Sequence, residues 1–538
     1  MKKAIGRFIL PFVISASVIL WPLLVLAAER NIIILHTNDI HCGIEDNIGM
    51  AALSYYKKAL SNDAYVLLVD SGDAIQGAPI GKLSEGSAII KVMNAAEYDF
   101  AVPGNHEFDY GMERFLQISQ QLSCGYYSAN LLDLDTGKLV LPPYKIFDIA
   151  GIKIAFLGAT TPETLVSSTP TYFQDDNGKF IYGFYESADG SRLYRQLQKY
   201  IDEAKAQGAE YVILVGHLGV NGSLPQYSSE AVIHNTTGLT AVLDGHSHEQ
   251  IAGRSVTDKN GNAVILGQTG TKMQNIGQLN ISVDGRISYN LIKNIVSADD
   301  DIKKLIESEN AVYKPLLQEP IGRAMVPLYV NDPVTGVRMV RSRECSMGDF
   351  VADAYRAVLK TDAAIVNGGG LRNDFQKGIF NYNDVLKVLP FGNMCTVLEV
   401  TGQQLVDALE LGAADYPQES GAFLQVSGIS YTIDSSIPSS VLKDATGNFI
   451  GVNGRYRVRN VMVAGKPVKY DQKYILGGTS YILKSGGNGM SMFKEARILQ
   501  DAVISESDAV IEYVQNHLNA VIDRQYADPH GNGRIIIK

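Results

Sequence analysis

Seven short apolar runs, each ending in polar residues, set the terms for whatever this chain folds into. They are Asn31–Leu35, Tyr65–Val69, Phe100–Val102, Ile152–Leu157, Tyr211–Val215, Leu239–Leu243 and Ala263–Leu266. Rich in β-branched residues and without polar alternation, they read as strands buried on both faces. Stretches with apolar residues at helical spacing lie between several of them: Gly49–Leu60, Ser87–Glu97, Gly111–Gln121 and Ser191–Gln207. Alternation of this kind predicts an α/β domain whose sheets are covered by helices.

Composition narrows the class. At 538 residues, 46% apolar and 19% charged, the chain is neither disordered nor fibrous. Its length suits three or four average domains or two large α/β ones. With 47 basic against 57 acidic side chains the formal charge is −10, which argues against a nonspecific grip on nucleic acid or anionic membrane. Four cysteines, Cys42, Cys124, Cys345 and Cys395, are too few for a disulfide scaffold, and their spacing pairs none of them.

The N-terminus has the form of an export signal. Lys2, Lys3 and Arg7 precede an uncharged apolar run from Phe8 to Leu26, closed by Ala27 and Ala28 before Glu29. The run also approaches membrane-spanning length, so an uncleaved anchor is the alternative; Pro11 and Pro22 inside it favour cleavage. Cleavage after residue 28 leaves 44 basic and 57 acidic residues, a charge of −13. The expected location is outside the cytoplasm: the periplasm, or the extracellular space or cell envelope.

Texture changes near Ser297, where Ala298-Asp-Asp-Asp-Ile-Lys-Lys opens a charged helical stretch ending before Pro320. We therefore expect a signal peptide over 1–28, a first domain over 29–296, a linker helix over 297–324 and a second domain over 325–538. The second domain has its own runs, Ala363–Val366, Thr396–Val400, Gln403–Leu411 and Tyr474–Gly477, and glycine-rich turns at Gly368–Gly370 and Gly486–Gly489. No internal repeat is visible.

Histidine placement carries most of the chemical information. Five of nine histidines lie in polar motifs that close the apolar runs of the first domain. In order these motifs are Asp39-Ile-His41, Ser71-Gly-Asp73, Gly104-Asn-His-Glu-Phe-Asp109, Gly216-His217 and Gly245-His-Ser-His248. Each alone is a common turn; five together are a metal constellation. Phosphate-ester hydrolysis without a covalent intermediate needs a nucleophile at neutral pH and cations on the phosphoryl oxygens. Two divalent ions about 3.5–4 Å apart supply both. Imidazoles, carboxylates and a bridging anion suit such a pair. On an extended chain, residues i and i+2 share a face, which would aim both side chains of Asp39/His41 and of His246/His248 at one point. His36 reads as a core or supporting histidine, and His234, His517 and His530 as surface residues.

Together these motifs resemble the signature of the calcineurin-like metallophosphoesterases. Gly104-Asn-His-Glu-Phe-Asp109, Leu157-Gly-Ala-Thr-Thr-Pro-Glu-Thr164, Asn367-Gly-Gly-Gly-Leu-Arg372 and Leu389-Pro-Phe-Gly392 narrow the likeness, over about 30–538, to the 5'-nucleotidase family. That resemblance implies a four-layer αββα metallophosphoesterase domain and a C-terminal α/β substrate-recognition domain, joined by the linker helix. It implies that Asp39, His41 and His248 hold one ion and Asn105, His217 and His246 the other, with Asp73 bridging. His106, oriented by Asp109, would be the non-ligand histidine stabilising charge on the phosphate or leaving oxygen. The donor set fits zinc or manganese first, iron also.

The same resemblance assigns a substrate pocket to the second domain. Arg341 and Arg372 would grip the anionic end, with Arg338 assisting; Phe391 and Tyr481 would sandwich a base; Asn367 and Asn393 would reach its edge. The chain departs from the family at Asn488, where an Asp is usual as ribose-hydroxyl acceptor. An amide oxygen accepts without charge. The expected activity is hydrolysis of nucleoside 5'-monophosphates, a step in nucleotide catabolism, with UDP-sugars as further substrates. Alternatives are a 2',3'-cyclic-nucleotide 2'-phosphodiesterase/3'-nucleotidase, a thiosulfate-acting relative, and a surface nucleoside-binding protein or adhesin without turnover. A large domain rotation about the linker helix is also implied.

Overall fold

A computed structural model describes residues 30–175, 177–220, 224–501 and 503–538; the leader expected over 1–28 lies outside the described residues. Among the described residues no helix is long and apolar enough to cross a membrane. All seven expected runs form strands. Six of them position the site: β1 (Ile32–Thr37), β2 (Tyr65–Asp70), β3 (Phe100–Ala101), β4 (Ile152–Thr160), β5 (Tyr211–His217) and β6 (Ala241–Leu243).

Two sheets stack in the first domain. One runs β3-β2-β1 in parallel and is extended by two antiparallel strands, Ile276–Ile281 and Ile287–Ile292. The other runs β4-β5-β6 in parallel with Ala263–Thr269, and carries antiparallel edges at Tyr144–Ile149 and Gln250–Thr257. Along β1 the period-2 alternation divides the layers. Ile32 and Ile34 enter the core between the sheets with Val69, Phe100, Phe156 and Val215, whereas Ile33 and Leu35 face the outer helices. Helices Met50–Leu60, Ser87–Ala95 and Met112–Gln121 cover the first sheet, and Ser191–Ala206 and Ser229–Asn235 the second. The result is the expected αββα stack.

The charged stretch near 300 is a helix, Asp300–Leu317, capped at its start by the Asp299 side chain, which accepts from the backbone N–H groups of Asp301 and Ile302. Ile302 and Ile306 on its apolar face are buried in the core of the first domain, and the helix also touches Tyr382–Val388 of the second. Residues Pro320–Ala324, read from sequence as the end of that helix segment, already form a strand of the second domain, paired with Gly378–Asn381.

The second domain is built on a five-stranded sheet in the order Leu424–Ser427, Ala363–Asn367, Lys473–Thr479, Cys395–Thr401, Arg497–Gln500. Helix Ser346–Leu359 packs one face through Phe350, Val351 and Tyr355; helix Gly402–Ala413 packs the other through Leu405 and Leu409. Loops after Asn367, before Cys395 and after Thr479 turn toward the first domain. Tyr481 donates its hydroxyl proton to the Val166 carbonyl at 2.9 Å, the Thr171 and Ser485 hydroxyls are 3.2 Å apart, and Lys82 Nζ donates to Ser507 Oγ at 3.2 Å. All four cysteines are buried and unpaired.

Phe100, fully buried, stacks on Tyr127 at 4.4 Å between centroids and tilts on Phe156 at 5.6 Å. Phe100→Ala should therefore cost about 3–5 kcal/mol, as large-to-small aromatic changes in packed cores do. Urea unfolding followed by tyrosine fluorescence checks this; a shift under about 1 kcal/mol would contradict the packing described.

Candidate metal centre and substrate cavity

Every candidate ligand sits at the carboxyl end of a parallel strand or just beyond it, where open α/β sheets gather their ligands. The local geometry is not extended, however. Five of the seven take positive φ: Asp39 (50°), His41 (47°), Asp73 (58°), His246 (78°) and His248 (57°). Asp, Asn and His tolerate this region better than most residues, at some cost. The expected i, i+2 logic of a strand is thus corrected. Asp39/His41 and His246/His248 converge through tight left-handed turns, because a strand would carry the chain past the site. Hydrogen bonds hold the turns: Asp39 N donates to Gly72 O at 2.9 Å, His41 N to Asp73 O at 2.8 Å, and Thr271 Oγ1 to Asp39 O at 2.9 Å.

The side chains form a buried cage in two overlapping groups, Asp39–His41–His248 and Asp39–Asp73–His217. His217 Nε2 lies 3.2 Å from both Asp73 Oδ2 and Asn105 Oδ1; His248 Nε2 lies 3.3 Å from Asp39 Oδ1 and 3.1 Å from His41 Nε2. His41 Nε2 is 3.8 Å from Asp73 Oδ2, so Asp73 of the second group also approaches the first, while Asp39 belongs to both. The outer nitrogens fix which atoms face inward. His41 Nδ1 bonds the Gln76 carbonyl at 3.0 Å and His217 Nδ1 the Ser71 carbonyl at 2.7 Å. With Nδ1 as donor, each Nε2 presents its lone pair to carboxylate, amide or imidazole acceptors. Such a set of facing acceptors is matched by cations, so the residues fit a metal pair. His246 is set slightly apart: its ring centroid is 5.1 Å from that of His217 and its Nε2 3.8 Å from Glu163 Oε2.

Electrostatics separate the three imidazoles. Burial holds His41 and His248 toward the neutral, lone-pair-bearing form despite the nearby carboxylates. Burial also opposes a charge on His217, yet Asp73 and Asp39 outweigh it and lift its pKa to about 10. Protons and metal cations therefore compete for that nitrogen. His36, as expected, is a supporting residue: its Nε2 bonds Ser71 Oγ at 2.9 Å and its Nδ1 the Tyr289 hydroxyl at 3.1 Å. His234, His517 and His530 are exposed.

Next to the cage, His106 Nδ1 bonds Asp109 Oδ2 at 2.6 Å, and Asp109 Oδ1 accepts from Ser168 Oγ at 2.9 Å. Burial disfavours a charged His106, but Asp109 and Asp73 outweigh it and raise its pKa. The remaining ring nitrogen is left to serve a cavity of about 950 Å³ that both domains line. Asp73, Asn105, His106, Asp109, His246 and His248 line one side; Arg338, Arg341, Asn367, Arg372, Phe391, Asn393, Tyr481 and Asn488 the other. The Phe391 ring lies 5.5 Å from that of His106, and Arg372 stands over Phe391 at 5.4 Å.

Of the three arginines, only Arg338 is neutralised by a carboxylate, with its Nε 2.6 Å from Glu419 Oε2. Arg341 Nε is buried without a partner, and burial together with Arg338 and Arg372 holds the Arg341 pKa well down. Arg372 is lowered to about 10 by burial and by Arg338, against the pull of Asp73 and Asp109. A desolvated cluster of guanidinium groups is a site for an anion.

Two of the expected contact residues, Asn393 and Asn488, also bond within the protein. Asn393 Nδ2 donates to Glu506 Oε2 at 3.2 Å, while the residue still lines the cavity. Asn488 spends both ends of its amide on the protein: Oδ1 accepts from the Tyr481 hydroxyl at 3.1 Å and Nδ2 donates to Gly421 O at 3.0 Å. Tyr481 is accordingly pinned by its hydroxyl to both Asn488 and Val166.

Two residues passed over in the sequence organise the centre. Glu107, inside the motif Gly104–Asp109, is 1% exposed and accepts from the backbone N–H groups of Asp73, Ala74 and Gly104 at 2.6–2.7 Å. It ties the β2 and β3 turns together; its place in the motif was the available signal. Asp244 does the same for β5, accepting from Leu218 N at 2.9 Å and Gly219 N at 3.3 Å. Between these turns the backbones touch: a Cβ at Gly104 would stand 2.2 Å from Asp73 Oδ1, and one at Gly72 2.4 Å from Gly104 N. Gly104→Ala should therefore displace Asp73 and lower the divalent metal held per chain at limiting metal concentration, a loss of about 10–100-fold in affinity. Elemental analysis after dialysis reads the outcome, and wild-type stoichiometry in the variant would contradict it.

Comparison with known proteins agrees with this geometry. Residues 32–250 match the model of the calcineurin-like phosphoesterases and residues 320–495 that of the 5'-nucleotidase C-terminal domain. A 5'-nucleotidase of Vibrio cholerae serotype O1 is 29% identical, the alignment covering 88% of this chain and 90% of that protein. Protein UshA of Yersinia enterocolitica is 25% identical, covering 93% of each. The fold matches that of a 5'-nucleotidase precursor from Thermus thermophilus with a TM-score of 0.77 at 23% identity, covering 94% of this chain and 99% of that one. A phosphoesterase domain bearing the cage, a 5'-nucleotidase C-terminal domain bearing the arginines, and full-length relatives with the same layout make the chain a phosphoric ester hydrolase that belongs to the 5'-nucleotidase family of calcineurin-like metallophosphoesterases.

Proposed function

We propose that the protein releases phosphate from nucleoside 5'-monophosphates outside the cytoplasm and also cleaves UDP-sugars. One observation carries the reading. A single cavity joins a cage of facing acceptor atoms to a cluster of guanidinium groups and to the rings of Phe391 and Tyr481. A phosphate ester with a flat base complements all three. The volume of about 950 Å³ leaves room beyond a monophosphate, which supports the larger UDP-sugars as substrates. Export follows from the leader-like segment over 1–28, and we assign 29–296 to catalysis and 325–538 to recognition.

Asp39, His41 and His248 would hold one divalent ion, Asn105, His217 and His246 the other, with Asp73 shared. Bound there, zinc or manganese would supply an activated water and neutralise charge on the phosphoryl oxygens. Arg341 and Arg372 orient the phosphate, and in a desolvated pocket their charges act strongly. Asp109 fixes the His106 tautomer, so that the free ring nitrogen faces the ester and stabilises charge on the leaving oxygen. Phe391 and Tyr481 take the base between them.

The reading is tested by phosphate release from AMP, UDP-glucose and 2',3'-cyclic AMP, with and without chelator. Chelator-sensitive release from AMP is expected. Release from the cyclic ester but not AMP would favour the 3'-nucleotidase alternative, and no release from any substrate would favour a binding protein. His106→Ala should lower kcat by about 10²–10⁴-fold, the usual worth of a positioned acid–base group. Phe391→Ala should raise KM for AMP by about tenfold or more, since a stacked base is worth about 1–3 kcal/mol.

A further inference from the structure

A second cavity of about 350 Å³ lies between the two domains beside the catalytic one. Its first-domain wall is mostly apolar and aromatic, with Leu134, Phe180, Tyr182 and Phe184, and carries Glu186 and Arg192 at one side; its second-domain wall is polar, with Asp444, Asn448 and Lys494. The polar wall is pre-ordered: Asp444 Oδ1 accepts from Thr446 N at 3.0 Å and from Asn448 N at 2.8 Å. Val166 lines both cavities, and its carbonyl is the acceptor that anchors Tyr481.

Three features define what would fill it. The lining carries carboxyl groups, Glu186 and Asp444, and cations, Arg192 and Lys494, so neither sign alone dominates it and the site does not demand a charged ligand. The aromatic wall suits a flat ring. Glu186 Oε2 is buried with no hydrogen-bond partner, a deficit that an N–H donor would relieve. Burial and Asp444, against Arg192, push the Glu186 carboxyl up to about 7.

We propose that this cavity is a second binding site, distinct from the catalytic one, for an uncharged heteroaromatic molecule of the nucleoside class whose N–H edge donates to Glu186. The choice of a nucleoside rests on the reaction proposed above, which releases one; the site itself does not. Because both domains form the walls, an occupant holds them together and acts on Tyr481 through Val166. Nucleoside bound there would inhibit turnover without competing with substrate, and substrate and nucleoside would shift each other's affinity by the same factor.

Calorimetric titration of the metal-loaded full chain with guanosine and with uridine tests this, in wild type, Phe391→Ala, Leu134→Trp and Glu186→Leu. Leu134 is 43% exposed, so a Trp there fills the cavity from the solvent side with little risk to folding. Leu134→Trp and Glu186→Leu should each weaken one binding event by about tenfold or more, while Phe391→Ala leaves that event in place. Phosphate release from AMP without added nucleoside should stay within about twofold of wild type in Leu134→Trp. Equal binding in all four proteins, or loss of all nucleoside binding in Phe391→Ala, would overturn the proposal. Failure of wild type to release phosphate would remove the proposed reaction yet leave a Leu134-dependent titration standing, so the two fail separately.

Discussion

Facing lone pairs dominate this molecule. His41 and His248 bring their Nε2 atoms to 3.1 Å, and His217 and Asn105 bring nitrogen and oxygen to 3.2 Å, in a setting that is buried except at His248. No fold reaches such an arrangement through the contacts themselves, which repel until a cation or proton enters. It is imposed from behind. The Gln76 and Ser71 carbonyls turn two rings inward, Glu107 binds two loops with one carboxylate, and glycines at 72 and 104 let the backbones touch. Left-handed backbone at five ligand positions is the accompanying strain, of the kind that a surrounding structure must over-determine.

The charge pattern divides the labour between the domains. The first gathers carboxylates and imidazoles, which attract cations; the second gathers Arg338, Arg341 and Arg372, which attract an anion. Set against each other across one cavity, they are complementary to a phosphate ester with its metals. Arg372 feels both sides: burial and Arg338 lower its pKa while Asp73 and Asp109 partly restore it. The cavity is already assembled in this structure, with Phe391 packed 5.5 Å from His106.

Much of this was legible before any coordinates. The buried parallel strands announced themselves as apolar runs, and the polar residues closing them gave the cage. The antiparallel edges were not legible. Gln250–Thr257 is largely exposed and Ile287–Ile292 half-exposed, so neither carries a continuous apolar signal. The segment from 297 to 324 looked like one connector because charge masked two buried isoleucines, Ile302 and Ile306, that dock the helix on the first domain. Asn488 and Asn393 looked free for a ligand because nothing local reveals that Gly421, 67 residues away, or Glu506, 113 away, would claim their amides.

The sequence by itself determined the layer architecture, the identity of the candidate donor atoms and the division into a half rich in carboxylates and imidazoles and a half that supplies the arginines. Those follow from hydrophobic periodicity and residue chemistry, which are local. Tertiary structure alone decided how the donors meet. Left-handed turns, not extended pairs, aim them; buried acids and facing glycines hold the turns; and loops from both domains close one cavity around the result. These depend on contacts such as Glu107 with Asp73, 34 positions apart, and Tyr481 with Val166, 315 apart. A linear pattern carries no record of distance in space.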